Sequence, residues 1–144
     1  MKKCYAYLFL VALFISSQAL SCSFPYASYE SKINSAESIF IGTVLEGKFV
    51  EVKTSNEEPD QSYVEVKIQI HRIIKGKSVP KIATIRTSPS DCGISFSILR
   101  TYLIFKSPDI NYVYVSDGTS EINRLYEETT AKEIEAFIKK NSAN

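Results

Sequence analysis

Alternation between apolar and polar residues is the clearest pattern in the chain. In segment 63–70 every even position holds Val or Ile, and Glu65, Lys67 and Gln69 stand between them. A period of two is that of a half-buried β-strand. The alternation slips at His71-Arg72-Ile73, which predicts a bulge or a bend in the strand at that point.

Four further segments show shorter strand patterns. Ser38–Val44 predicts a strand with a bend at Gly42, and this strand can extend through Phe49 and Val52. The polar segment Thr54–Asp60 would then be the loop of a long two-stranded arm. The remaining predicted strands are Lys81–Thr87, Thr101–Lys106 and Tyr112–Val115.

Helix signals lie at the two ends of the strand-rich part. Tyr26–Ser35 predicts a short helix before the first strand. Near the C-terminus, Thr130 and Glu133 have the spacing of a capping box. Apolar residues follow at helical spacing, so we expect a helix from this box to about Lys140 with one face on the sheet.

Five short strands with terminal helices define the expected fold class. We predict a mainly β domain with terminal helices, built as a five-stranded OB-fold barrel, the best-known five-stranded closed or partly closed architecture. A β-sandwich fits the same pattern of strands.

Residues 1–21 have the features of a secretory signal peptide. Lys2 and Lys3 precede an apolar run from Cys4 to Ile15, which is too short to span a bilayer as a mature helix. Ala19 and Ser21 are the small residues that a signal peptidase recognises. We therefore predict cleavage after Ser21 and one mature domain, residues 22–144, secreted to a periplasm or to the extracellular space.

Two alternatives to a cleaved, free N-terminus remain. The leader could stay in place as an anchor. Alternatively, Cys22 could be acylated as in a bacterial lipoprotein, although the order Ala19-Leu20-Ser21 puts the bulky residue in an unusual place for that modification.

Charge limits the classes of partner. The formal net charge of the whole chain is +1, and loss of two leader lysines leaves the mature chain close to neutral. Nucleic-acid-binding proteins normally carry a clear basic excess, so we expect no nucleic-acid partner. We also expect no membrane span in the mature chain, and a monomer.

Two cysteines remain after cleavage, Cys22 and Cys92. In an oxidising compartment, one Cys22–Cys92 disulfide is the economical prediction. It would close a loop of about 70 residues and contribute roughly 4 kcal/mol in the chain-entropy estimate. The disulfide could serve only to stabilise the fold. Alternatively, it could hold the N-terminus rigidly because the N-terminus has a function.

Residues that could carry catalysis are scarce, so we predict a binding protein and not an enzyme, with no cofactor. His71 is the only histidine, it falls on the polar side of a strand, and no second ligand is available to form a metal site with it. The carboxylates occur in loop pairs that are usually solvated. Four strand tyrosines, interpreted mostly as sheet packing, are Tyr63, Tyr102, Tyr112 and Tyr114.

The central segments, taken together, resemble a known family. Tyr63, Lys75-Gly76, the stretch Ile85–Phe96 with its Cys92-Gly93-Ile94-Ser95, and Tyr102-Leu103-Ile104 follow in this order. Cys22, directly after the leader, precedes Cys92-Gly93 by about 70 residues. The pattern is similar to the inhibitory N-terminal domain of the tissue inhibitors of metalloproteinases, which has a netrin-like OB-fold. The resemblance covers nearly all of the mature chain.

This resemblance implies a function and a set of site residues. A zinc metalloprotease would be the partner, and the α-amine and carbonyl of Cys22 would bind the zinc of that protease. Ser23 would enter the specificity pocket, Phe24 and Pro25 would extend the wedge, and Cys92 would anchor Cys22 through the disulfide. The loop beside this tip would consist of Ser88, Pro89, Ser90 and Asp91.

Two departures from the family pattern occur together. Phe24 stands where the family has a second cysteine, and Ser116 stands near the position of that cysteine's partner. The alternatives to an inhibitor are a non-inhibitory OB-fold binding module and a lipoprotein that interacts with another extracellular protein.

Overall fold

The computed structural model describes residues 27–52, 61–76, 80–108 and 112–142 of the 144-residue chain. One helix precedes the strands and another follows them, with short 3₁₀ turns at Val115–Asp117 and Arg124–Tyr126. The elements are α1 (Tyr29–Ser35), β1 (Ser38–Val52), β2 (Gln61–Lys75), β3 (Ile82–Thr87), β4 (Thr101–Lys106), β5 (Ser120–Glu121) and α2 (Glu127–Ser142).

The strands form one antiparallel sheet in the order β3-β2-β1-β4-β5. The mainly β class with terminal helices is therefore confirmed. These strand pairings do not close the sheet into a barrel, so the OB-fold barrel stays a prediction.

Four of the five predicted strands are confirmed by their pairing in the sheet, and the alternation predicted for 63–70 matches the burial along β2. Val66 and Ile68 are fully buried, whereas Lys67 and Gln69 between them are exposed. The first strand does extend through Phe49 to Val52. The predicted loop Thr54–Asp60 lies outside the described residues.

The slip in alternation at His71 is a bulge. Ile41 pairs with Arg72 and Gly42 pairs with Ile70, so His71 has no opposite residue on β1. Gly42 is required here by close approach, because a Cβ at this position would lie 2.5 Å from Cγ2 of Ile68 and 2.6 Å from the Gln69 carbonyl oxygen. The bend predicted at Gly42 thus coincides with the bulged part of the pairing.

The predicted fifth strand is wrong. Tyr112 makes only an isolated bridge, and Val115 begins a 3₁₀ turn. The Asp117 carboxylate accepts from the Tyr114 N–H at 3.0 Å, which stabilises this turn. The fifth strand of the sheet is β5, two residues long.

Two apolar clusters stabilise the fold, one on each face of the sheet. The first includes Phe40, Val44, Val66, Ile68, Ala83, Ile85, Ile94, Tyr102, Ile104 and Val113. The second joins α1 and α2 to the opposite face and includes Ile33, Ala36, Ile39, Ile41, Leu103, Phe105, Ala131 and Ile134. Alternation along β1 and β4 sends successive side chains into different clusters.

Both terminal helices are present. The Ser28 hydroxyl caps α1 by accepting from the Ser31 N–H at 3.2 Å, and Tyr26 lies outside the described residues. Helix α2 begins at Glu127, so Thr130 lies inside the helix and the predicted capping box is wrong as a start signal. The preceding 3₁₀ turn is capped by the side chain of Asn123, which accepts from the Leu125 N–H at 3.0 Å.

Arg72 connects α2 to β2. Its guanidinium donates to Glu135 Oε1 at 2.9 Å and also pairs with Glu128. A hydrogen bond from Lys132 and the charge of Arg72 lower the pKa of Glu128 below its ordinary value of 4.5. The charged form of Glu128 is therefore favoured in the folded protein.

We expect Glu128→Gln to remove a pH-dependent part of the stability. Because the pKa is lowered on folding, the contribution of Glu128 is present above its unfolded pKa and is lost as pH falls through the folded pKa. Urea denaturation should show the variant less stable than the parent at pH 7, with the difference shrinking below about pH 4. A difference that is constant down to pH 2 would contradict this account.

Candidate functional site

The predicted contact surface combines two segments, and the structure describes one of them. Cys22, Ser23, Phe24 and Pro25 lie outside the described residues. The loop from Ser88 to Cys92 is described, and it directly follows β3.

This loop is a compact turn on a buried base. The Ser88 and Ser90 hydroxyl oxygens lie 2.7 Å apart, and the Ser88 hydroxyl also accepts from the Ser90 N–H at 3.2 Å. The Gly93 N–H donates to the Ser90 carbonyl at 2.8 Å. Pro89, Ser90 and Asp91 are exposed at the tip. The tip is therefore available for contact while its backbone is held by short-range hydrogen bonds.

The base of the loop is closed by Thr87 and Ile94. Thr87 is fully buried, and its hydroxyl accepts from the Ile94 N–H at 2.8 Å. Gly93 packs closely against the start of the turn, where a Cβ would be 1.7 Å from the Ser88 carbonyl oxygen. The two ends of the turn are thus in direct backbone contact, which no residue with a side chain would permit at this position.

Cys92 lies in this turn and is partly buried. It does not carry a free thiol. Its predicted partner, Cys22, lies outside the described residues, so the pairing of Cys22 with Cys92 stays a prediction.

Three tyrosines and an arginine form a cluster next to the loop. The rings of Tyr63 and Tyr112 meet edge to face with centroids 6.1 Å apart, and Tyr112 stacks on Tyr114 at 6.1 Å. The Arg86 guanidinium carbon lies 4.4 Å from the Tyr63 ring centroid, within the range of a cation–π contact. Arg86 belongs to β3, two residues before Ser88.

This cluster is more exposed than the sequence prediction of sheet packing implied. Tyr63, Tyr112 and Tyr114 are all partly exposed. Burial raises the pKa of Tyr114, and the neighbouring Tyr112 and Asp117 contribute to the same shift. The spacing of Tyr112 and Tyr114, two residues apart, is the sequence signal that could have placed their rings on one side of the chain.

Tyr102 does pack inside the fold, as predicted, with 1% of its surface exposed. Its hydroxyl accepts from the Ser97 N–H at 2.9 Å and donates to the Ser95 carbonyl at 3.2 Å. This buried hydroxyl therefore fixes the chain that leaves the loop after Ile94, because both contacts are made to backbone groups.

His71, the other residue that the sequence singled out for its chemistry, lies on the surface of the sheet. His71 is exposed, and its Nε2 lies 2.7 Å from the Thr43 hydroxyl. No group of three or more His, Cys, Asp or Glu side chains in those segments is placed to hold a metal ion. The arrangement around Ser88–Cys92 presents hydroxyls, a carboxylate and aromatic rings, which is the chemistry of a contact surface.

In comparisons with known proteins, no protein-family model and no curated protein matches the chain. Within the described part of the chain, neither helix has the length and apolar composition that crossing a bilayer requires.

Proposed function

We propose that the mature chain is a secreted inhibitor of zinc metalloproteases. The observation that carries this proposal is the turn Thr87–Ile94, a rigid and exposed loop that holds Cys92 at its base. A partner cysteine bonded to such a base would itself be held in one position. Rigidity of this kind lowers the entropic cost of binding.

The chemistry proposed for Cys22 follows from what a catalytic zinc accepts. Such a zinc keeps an open position for water. A free α-amine has a pKa of about 7.7–8.0, so its neutral form is readily available near neutral pH as a zinc ligand. The Cys22 amine and carbonyl oxygen would occupy the position of the attacking water, Ser23 would enter the specificity pocket, and Phe24 and Pro25 would extend the contact.

The described loop would form the other side of the same contact surface. Ser88, Pro89, Ser90 and Asp91 would pack beside the Cys22 tip, and Cys92 would anchor it. The Tyr63–Tyr112–Tyr114 cluster would enlarge the contact, since Arg86, which touches Tyr63 and bridges to Tyr112, lies two residues before Ser88. Tyrosine is enriched in protein interfaces for its large amphipathic ring.

We also propose that the sheet is curled into an OB-fold barrel. Support comes from the edge strand β3, where Arg86 makes a parallel bridge to Tyr112 and its backbone carbonyl accepts from the Val113 N–H at 2.8 Å. The segment at Tyr112 follows β4, so this contact links the two sides of the sheet. Val113 is fully buried in the first apolar cluster together with residues of β1–β4, as expected for the interior of a small barrel.

Extension of the mature chain by one alanine before Cys22 tests the mechanism. Extension converts the α-amine into an amide, which is not a zinc ligand. Loss of a hydrogen-bond partner of a metal ligand typically costs roughly 10–100-fold in metal affinity. Because the extension removes a ligand itself, we expect the inhibition constant for a susceptible zinc metalloprotease to rise by more than this. The measurement is cleavage of a fluorogenic peptide by a panel of zinc metalloproteases, with intact mass used to verify that the parent begins at Cys22.

One alanine added after Asn144 is the matched control and should leave inhibition unchanged. Inhibition that survives the N-terminal extension would refute chelation by the Cys22 amine. Absence of inhibition across the panel by the parent would favour the non-inhibitory binding module, and a lipid-sized mass increment would favour the lipoprotein.

A further inference from the structure

A groove of about 590 Å³ lies beside the start of β4 and contains no residue of the Ser88–Cys92 loop. This volume is within the range of about 300–1,000 Å³ that is usual for small-molecule sites. The turn before β4, the start of β4 and the segment after β5 line it. A backbone hydrogen bond of 2.9 Å from the Ile122 N–H to the Thr101 carbonyl joins β4 to the segment after β5.

Hydroxyl groups line part of the groove. Along β1, the alternation that puts Ile39 and Ile41 into the helix-covered cluster continues to Thr43. The Thr43 hydroxyl lies 3.2 Å from the hydroxyl of the buried Thr101 and 2.7 Å from His71 Nε2. This face of the sheet thus changes from apolar to hydrogen-bonding at the groove.

Two arginines line the same groove. Arg100 has a loose ion pair with Glu121, with Nε and Oε1 3.9 Å apart. Arg124 has no carboxylate within salt-bridge distance among residues 27–52, 61–76, 80–108 and 112–142. Two guanidinium groups therefore face one carboxylate, and the local charge is positive in a protein that is otherwise close to neutral.

Leu99 adds an apolar and strained element to the lining. It is 77% exposed and has a φ of 65°, a left-handed conformation that is uncommon for a residue with a large side chain. Its N–H donates to the Val44 carbonyl at 2.8 Å, and the Val44 N–H donates to the Arg100 carbonyl at 3.0 Å. Strain of this kind concentrates at ligand-binding and other functional sites.

We propose that this groove binds a small organic anion, with its carboxylate or phosphate group held by Arg100 and Arg124 and its apolar part against Leu99. The planar guanidinium fork matches the oxygens of carboxylate and phosphate, and the Thr43 and Thr101 hydroxyls supply further hydrogen bonds. The proposal is independent of protease inhibition, because the groove shares no residue with the Cys22 and Ser88–Cys92 surface.

The test is an NMR titration of the ¹⁵N-labelled mature protein with hexanoate and, separately, with sodium phosphate. Sodium chloride at matched ionic strength is the reference. We expect saturable shifts centred on the amides of Thr43, Thr101 and Arg124 with at least one of the two probes. Response to phosphate alone would identify phosphate as the preferred head group, and response to hexanoate would identify a carboxylate with an apolar part.

The double variant Arg100→Gln/Arg124→Gln should raise the dissociation constant for the responding probe by at least about tenfold. This is the effect expected when charge-assisted hydrogen bonds are lost. Lys139→Gln/Lys140→Gln, which removes two exposed charges at the end of α2, is the matched control and should bind like the parent. Shifts that do not saturate, that chloride reproduces, or that persist in the arginine variant would overturn the proposal. If the spectrum of the double variant differs from that of the parent at residues outside the groove, its fold has changed. The single variant Arg124→Gln is then used in its place.

Discussion

Replacing Gly93 by alanine is expected to lower the free energy of unfolding by at least about 2 kcal/mol, as overpacking and a broken buried hydrogen bond do together. The new Cβ would lie 1.7 Å from the Ser88 carbonyl oxygen, so the backbone must move apart. That movement would disturb the hydrogen bond from the Ile94 N–H to Thr87 and the one from the Gly93 N–H to Ser90. Urea denaturation followed by circular dichroism measures the loss.

Gly47→Ala is the matched control for this substitution. Gly47 lies in β1, and a Cβ there would meet no atom within 4 Å. Its effect should stay within about 0.5 kcal/mol, the usual range for surface changes. Equal effects at Gly93 and Gly47 would mean that the turn is looser than its contacts indicate, and the main support for a rigid inhibitory loop would be lost.

The strands that the sequence predicts best are those with a strict alternation or a continuous apolar run. Strand β4 has the predicted bounds Thr101–Lys106, because Tyr102–Phe105 are all buried and both faces of this strand are covered. The bulge at His71 was also predictable, because a break in a period of two must change which face a side chain occupies.

The wrong predictions concern elements that depend on tertiary contacts. Strand β5 has only two residues, and its pairing of Glu121 with Tyr102 has no periodic pattern that a sequence could display. The sequence puts the start of α2 too late, at the capping box of Thr130 and Glu133, whereas the helix begins at Glu127. The operative cap is Asn123, which initiates a 3₁₀ turn that leads into the helix.

Of the two candidate surfaces, one could be predicted from the sequence and the other depends on tertiary contacts. Ser88–Cys92 could be proposed from the sequence only through the resemblance to the metalloproteinase inhibitors, whose motif lies in one contiguous stretch here. The groove could not, since Arg100 and Arg124 come together only through the pairing of β4 with β5. The close contact of Gly93 with Ser88 also depends on the fold of the turn and not on any feature of composition.

Phe40→Ala is expected to cost about 3–5 kcal/mol of stability, the range for truncating a buried phenylalanine. Phe40 is fully buried in the first apolar cluster, on the strand that lies between β2 and β4. Total stability of a small domain is about 5–15 kcal/mol, so this change removes a large share of it. Thermal and urea denaturation measure the effect, and Phe40→Leu should retain most of the stability if the alanine variant does not fold.

Phe49→Ala is the control within the same strand. Phe49 is 60% exposed and pairs with Val64 of β2, in the part of β1 beyond its pairing with β4. Because little of its surface is removed from water, its truncation should change stability by no more than about 0.5 kcal/mol. A loss at Phe49 comparable to that at Phe40 would contradict the assignment of the apolar cluster to one end of β1. Since the proposed barrel interior is that cluster, the same result would also count against the curled sheet that the contact of Arg86 with Tyr112 supports.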